Sequence, residues 1–228
     1  MLETETGHTF TLVGAPNIPS FELALSEGAY DFSYMNPYHL VIANEKQGYT
    51  PLVRDVEKQL FGVLVVHKES GITSPNQLKD REIAFPAPNA LGASLQMRQE
   101  LTDQFGIDFT PRYVNTHDSV YMNVILKQAA AGGGVQKTLH RQKDGIKNKL
   151  TIIHKTTPVS PHPFAVHPAV PDSVKQHVQK LLLSYSKTAD GAAAIGKIPI
   201  KEIGAASLQD YDNLKKMRLD RFYHEPKK

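Results

Sequence analysis

Three stretches of the sequence place polar side chains where a strand gives way to a helix. The first is "FPAPNALGASLQMRQEL", residues 85–101. The apolar run Ile83–Phe85 stops at Pro86 and Pro88, and a helical pattern begins after Asn89, Ala90, Leu91, Gly92 and Ala93. A helix start offers unpaired backbone N–H groups and the positive end of the helix dipole, so it can hold an anion. Asn89 or Ser94 would add a side-chain hydrogen bond. The structural alternative is an ordinary connection capped by Asn89. No Gly-Lys-Ser/Thr follows, which excludes a Walker-type phosphate loop.

The second stretch is "YMNPYH", residues 34–39, with Tyr34, Asn36, Tyr38 and His39 available. Aromatic rings with polar tips suit a pocket wall. The alternative is that both tyrosines pack in a core and Asn36 only caps a helix. The third is "NTHDSVYMNV", residues 115–124. Here His117 could donate to an anionic ligand or act as a general base, or be a surface or capping histidine. Asp118 and Ser119 beside it match a catalytic triad in composition only, because neighbours at one helix start do not converge as a triad does.

Other chemistry finds little support. No H-E-x-x-H, G-x-S-x-G or G-x-G-x-x-G pattern occurs, and His162 and His167 lack metal-ligand spacing. The reading is therefore no catalytic residue, no metal and no cofactor. The chain has no cysteine, which excludes disulfides and thiolate chemistry. Its 26 basic and 23 acidic residues are spread along 228, for a net charge of +3, which does not point to nucleic acid. No apolar run approaches the ~20 residues of a membrane span.

The elements that must position these turns follow from the punctuation. Phe10–Val13 reads as a strand, Ser20 as a cap of a short helix closed by Gly28, and Tyr30–Met35 as a strand. Asn36-Pro37 opens the next helix, cap and then Pro at its first position. "LFGVLVVH" (60–67) is nearly continuous apolar, as in a strand covered on both faces. "AAAGGGV" (129–135) is a strand whose glycines permit close backbone approach. Pro171-Asp172-Ser173 opens a helix through Leu183, and Leu208 to Phe222 reads as a last helix. The alternation implies an α/β fold with largely parallel sheets. Crossings near His67 and in "TTPVSPHPFAVHP" (156–168) suggest two lobes joined by a two-stranded hinge, residues 1–66 plus 161–228 and residues 67–160. In open α/β sheets ligands bind beyond the carboxyl ends of the strands, and facing lobes can close on a small ligand.

The ordered series "YDFSYMNPYHLVIA", "LFGVLVVHKESGITSPNQLKDREIAFPAPNALGASLQMRQEL" and "THDSVYMNVILKQAAAGGG" resembles the phosphate/phosphite/phosphonate-binding proteins of bacterial ABC importers, over roughly residues 8–185. The resemblance implies a type 2 periplasmic-binding-protein fold, with two α/β lobes, a hinge and a ligand clamped between them. It implies a periplasmic location, a small anionic ligand and a membrane permease as partner. It also implies that a signal peptide, the first strand and most of the first helix are absent, so that either another chain associates through the gap or the sequence is an incomplete record of a longer chain. His117 matches the family's histidine, and Tyr34 a tyrosine near the cleft. The family's Ser-Thr-Ser-Gly anion turn falls on Asn89, Ala90, Leu91 and Gly92, so its backbone donors carry over and its hydroxyls do not. Its pocket tyrosine falls at about Ile18 and its aspartate within Ala129–Ala131. The ligand-binding residues expected are Tyr34, Asn36, Asn89, Ala90, Leu91, Gly92, Ser94 and His117. Two alternatives remain open on this fold, a ligand-sensing domain of a signalling receptor and an enzyme like the pyrimidine-forming proteins of thiamine biosynthesis.

Overall fold

Asx caps open α2 and α3, and glycines stop α1 and α3, in the computed structural model of the chain, which describes residues 1–198 and 200–226. The chain forms two compact units. The first comprises Met1–Gln59 and Ser160–Lys215 together with Glu225 and Pro226, and the second comprises Leu60–Val159 and Lys216–His224. The passage expected near His67 thus falls at residue 60, because the strand before His67 is internal to the second unit's sheet.

In the first unit, α1 (Leu2–Thr6) ends at Gly7 in the left-handed region, φ 69°. Helix α2 (Ile18–Ser26) is capped by Asn17, whose side chain accepts from Ser20 N, so Ser20 lies inside the helix rather than at its cap. Strand β1 (Phe32–Tyr34) leads through the Asn36 cap into α3 (Pro37–Gln47), which Gly48 ends at φ 76°. Strand β2 (Thr50–Asp55) closes this part.

The second unit holds β3 (Gly62–His67), β4 (Glu82–Phe85), a π-helical turn (Leu91–Leu95) continuing into α4 (Gln96–Asp103), and β5 (Thr110–Tyr113). It continues with α5 (His117–Ile125), β6 (Ala131–Val135), α6 (Gln136–His140), α7 (Asp144–Lys147) and β7 (Leu150–Lys155). The chain then returns to the first unit for β8 (Phe164–Val166), α8 (Asp172–Tyr185), α9 (Ala189–Ile195), β9 (Ile203–Ala205) and α10 (Asp212–Lys216).

The sheets differ from the largely parallel expectation. The first unit's order is β1-β8-β2-β9, every neighbour antiparallel, because β8 runs back between β1 and β2. The second unit's order is β5-β4-β6-β3-β7. Only β5-β4-β6 are parallel, while β3 runs against both β6 and β7. The expected last helix is broken into short turns around α10, with Arg218 left-handed at φ 51°. Residues Phe10–Val13, expected as a strand, lie in no strand.

Strand β3 explains why its sequence is apolar throughout. Val63 and Val65 pack with Val120, Tyr121 and Val124 of α5, and Leu64 and Val66 pack with Met97 and Leu101 of α4. The period-2 alternation of a strand sends neighbours to opposite faces, and each face has its own helix. Burying each such side chain stabilises by about 1.5–3 kcal/mol, which fixes both helix starts against the sheet.

Candidate functional site

Strands β4, β5 and β6 each run directly or through a tight turn into a helix, and they do so at one end of the second sheet. After β4, Ala90 is extended (φ −67°, ψ 103°), and Ser94 N and Leu95 N both donate to its carbonyl, at 2.8 and 3.0 Å. The five-residue span of the second bond makes the widened π turn. The N–H groups of Leu91, Gly92 and Ala93 precede this ladder and so have no carbonyl within their own helix. Small residues seat the turn on the sheet. The Gly92 and Ala93 carbonyls lie against Gly62 and Gly133, where a Cβ would collide with them. A Cβ on Gly92 would stand 2.7 Å from Gly62 N.

The side chains around this turn hold the frame. Asn89 does not cap the helix, as its Nδ2 donates to His224 O (2.8 Å) and its Oδ1 accepts from His224 N (2.9 Å). Arg98, buried four residues after Ser94, donates through Nη2 to Pro88 O (2.8 Å) and Phe222 O (2.7 Å), and through Nε to Ser94 Oγ (3.3 Å). Its guanidinium lies over the rings of Tyr113 and Phe222, and burial lowers its pKa. The Asn89 side chain, expected to face a ligand, bonds the C-terminal segment, and the Ser94 hydroxyl, expected to do the same, accepts from Arg98. The signal for Arg98 was a cation on the same helix face as Ser94. The clasp by residues 222–224 had no sequence signal, because it joins segments more than a hundred residues apart.

The second junction starts on the neighbouring strand, with Val114 N donating to Phe85 O. Thr116 caps α5, its Oγ1 accepting from Ser119 N at 3.0 Å. His117 is therefore the first helical residue. Its Nδ1 is buried without a hydrogen-bond partner, and burial lowers its pKa, partly offset by Asp118. Asp118 turns to Gln142, whose Nε2 donates to it at 2.6 Å, so no triad forms with His117. The Tyr113 hydroxyl, two residues before Asn115, is also buried without a partner, and burial raises its pKa. At the third junction, Tyr121 Oη bonds Thr138 Oγ1 (2.7 Å) and Val135 O (3.2 Å) beside Gly134, and burial pushes its pKa up to about 12.

The remaining expected residues stand in the first unit. Asn36 Oδ1 accepts from Tyr38 N (2.8 Å), the cap that the sequence suggests. Tyr34 is half exposed (51%), and its ring stacks on His162 at 5.5 Å. Burial of its hydroxyl end and the charge of Asp55 raise its pKa. Tyr38 is core, and His39 Nε2 meets Glu22 Oε1 at 2.8 Å in a buried pair.

The family model for the periplasmic substrate-binding protein of phosphonate ABC transporters matches residues 1–211. Solved structures agree on the fold. A binding-protein component of an ABC phosphonate transporter from Pseudomonas aeruginosa superposes with a TM-score of 0.78 at 13% identity, covering 96% of this chain and 78% of that one. A Prochlorococcus marinus protein in complex with methylphosphonate gives 0.79 at 14%, covering 95% and 87%. A Xanthomonas citri protein bound to ATP gives 0.83 at 15%, covering 98% and 91%.

Proposed function

From a chain that belongs to the periplasmic substrate-binding proteins of phosphonate ABC transporters, we propose a solute-binding protein that takes up a small oxyanion of the phosphate, phosphite or phosphonate class and delivers it to an importer permease from the periplasm. The observation that carries the anion is the start of the π turn, where the Leu91, Gly92 and Ala93 N–H groups lie outside the helical ladder at the positive end of a helix. His117 and the Tyr113 hydroxyl, each with a buried unpartnered atom at the adjacent junction, supply further donors. In this reading Ala90 sets the angle of the turn, while Asn89 and Ser94 hold it in shape. Tyr34, through its exposed ring, and Asn36 are further ligand-binding candidates, both in the first unit. The family's role as a substrate-binding protein supports binding and release as the task of this site.

The Tyr34–His162 stack favours ligands carrying a planar group, and the ATP-bound neighbour makes nucleotides a second class to test. A thermal-shift panel of phosphate, phosphite, methylphosphonate, methanesulfonate, acetate and ATP separates these. At a hundredfold excess over its dissociation constant a ligand adds about 2.7 kcal/mol of stability, so a phosphorus oxyanion raises the melting temperature by several degrees. A rise with ATP alone favours the second class. No rise with any anion contradicts the anion reading.

A further inference from the structure

The spread of charge along the sequence conceals one concentration of it. Residues 137–149 hold five of the chain's 26 basic residues and one of its 23 acidic ones, so they are +4 where the whole chain is +3. They form most of α6, all of α7 and the turns that lead to β7. The segment is held from beneath. Leu139 and Ile146 pack into the core with Val63, Val120 and Tyr121. The Tyr121 hydroxyl bonds Thr138 Oγ1, and Lys149 O accepts from Lys68 N at 2.9 Å. With its apolar side chains turned inward, the segment shows its cations to water. Lys137, Arg141, Lys143 and Lys149 are exposed. Lys147 pairs with Asp144 at 2.9 Å, whereas Arg141, Lys143 and Lys149 make no ion pair among the described residues. At the border Asp118, which accepts from Gln142 Nε2, adds one acid and Lys68 adds one base.

We propose that this face adsorbs to a membrane surface of anionic phospholipid headgroups. Protein interfaces are anchored by buried aromatic, Met and Arg side chains and are depleted in Lys. Here four of the five cations are Lys, and the segment's large apolar residues, Leu139 and Ile146, are not exposed. A headgroup layer presents diffuse negative charge and needs neither a pocket nor a register, so flexible point charges suit it. Each Lys or Arg near such a surface strengthens binding about fivefold. Nothing apolar stands ready to insert, so the protein rests on the headgroups by charge alone and leaves again when that charge is screened. For a protein that hands its ligand to a permease, adsorption confines the search for that partner to a surface. That use rests on the proposed function; the adsorption itself does not.

The test is sedimentation of the full chain with vesicles of phosphatidylcholine, alone or mixed with phosphatidylglycerol, at low salt and neutral pH. The protein should pellet with the phosphatidylglycerol vesicles and stay in solution with phosphatidylcholine alone. Binding should vanish near ~1 M salt, where the Debye length falls to about 3 Å. Arg141→Gln combined with Lys143→Gln removes two charges from the face and should weaken partitioning about 25-fold. Lys180→Gln combined with Lys187→Gln, at two exposed positions of the first unit, removes the same net charge and should leave partitioning within about twofold. All four side chains are exposed, so both variants should keep the wild-type circular dichroism spectrum. A wild-type protein that ignores phosphatidylglycerol vesicles overturns the proposal. Equal weakening by the two double variants overturns it as well, because net charge alone would then account for the binding. Retention on poly-glutamate without vesicle binding assigns the face to an acidic protein instead and also overturns it.

Discussion

His117 shows how one residue can be placed correctly by sequence while its state is not. Its position after a polar turn was legible, and so was the helix that follows. Its buried, unpartnered Nδ1 depends on packing across the sheet and left no local trace. Burial depresses its pKa below the usual 6.5. Between the depressed value and 6.5 the unfolded chain binds the proton that the folded chain refuses, so the contribution to stability is present above about pH 6.5 and is lost as the pH falls. Urea midpoints measured from pH 7.5 to 5.5 should fall less steeply for His117→Ala than for wild type. Parallel slopes would remove the histidine from this account. In the same variant the loss of one hydrogen bond to a charged ligand should weaken methylphosphonate binding roughly 10- to 100-fold by calorimetry. Asn89 teaches the converse lesson. Its residue type fitted a helix cap, but its amide instead clasps His224 main chain, a long-range choice that no local pattern encodes.

At the scale of elements, alternation and punctuation carried most of the information. Strand β3 reads as doubly covered because each face meets a different helix, and α3 begins where Asn36-Pro37 says it should. Sheet direction was not legible. It depends on where β8 and β3 insert after the chain crosses between units, and the local sequence of an antiparallel strand covered on both faces is the same as that of a parallel one. The glycines of β6 were legible as a site of close approach, and the structure identifies what approaches. A Cβ on Gly133 would meet the Ala93 carbonyl and the Phe85 ring, so the π turn sits where it does only because β6 lacks side chains there. Gly133→Ala should cost about 1–3 kcal/mol by overpacking and should weaken anion binding beyond what the stability loss explains, because it moves the turn. Denaturant titration alongside calorimetry on the still-folded fraction checks both. An unaltered ligand affinity would uncouple the turn from the sheet.

At the scale of the whole molecule, family membership and fold come from the same ordered series of stretches, whereas the ligand is decided by a handful of atoms. Asn89, Ala90 and Leu91 bring no hydroxyl to the turn, so the proposed site rests on main-chain donors. Backbone N–H groups bind an oxyanion without regard to which side chains flank them, so the proposed site does not depend on the identity of residues 89–91. The measurement that tests this most directly is the amide spectrum of the ¹⁵N-labelled protein titrated with methylphosphonate, and separately with phosphate. The account predicts that the Leu91, Gly92 and Ala93 amides move the most on saturation, with hydrogen-exchange protection gained at the same three positions. Saturable binding that leaves those three amides unmoved would contradict it.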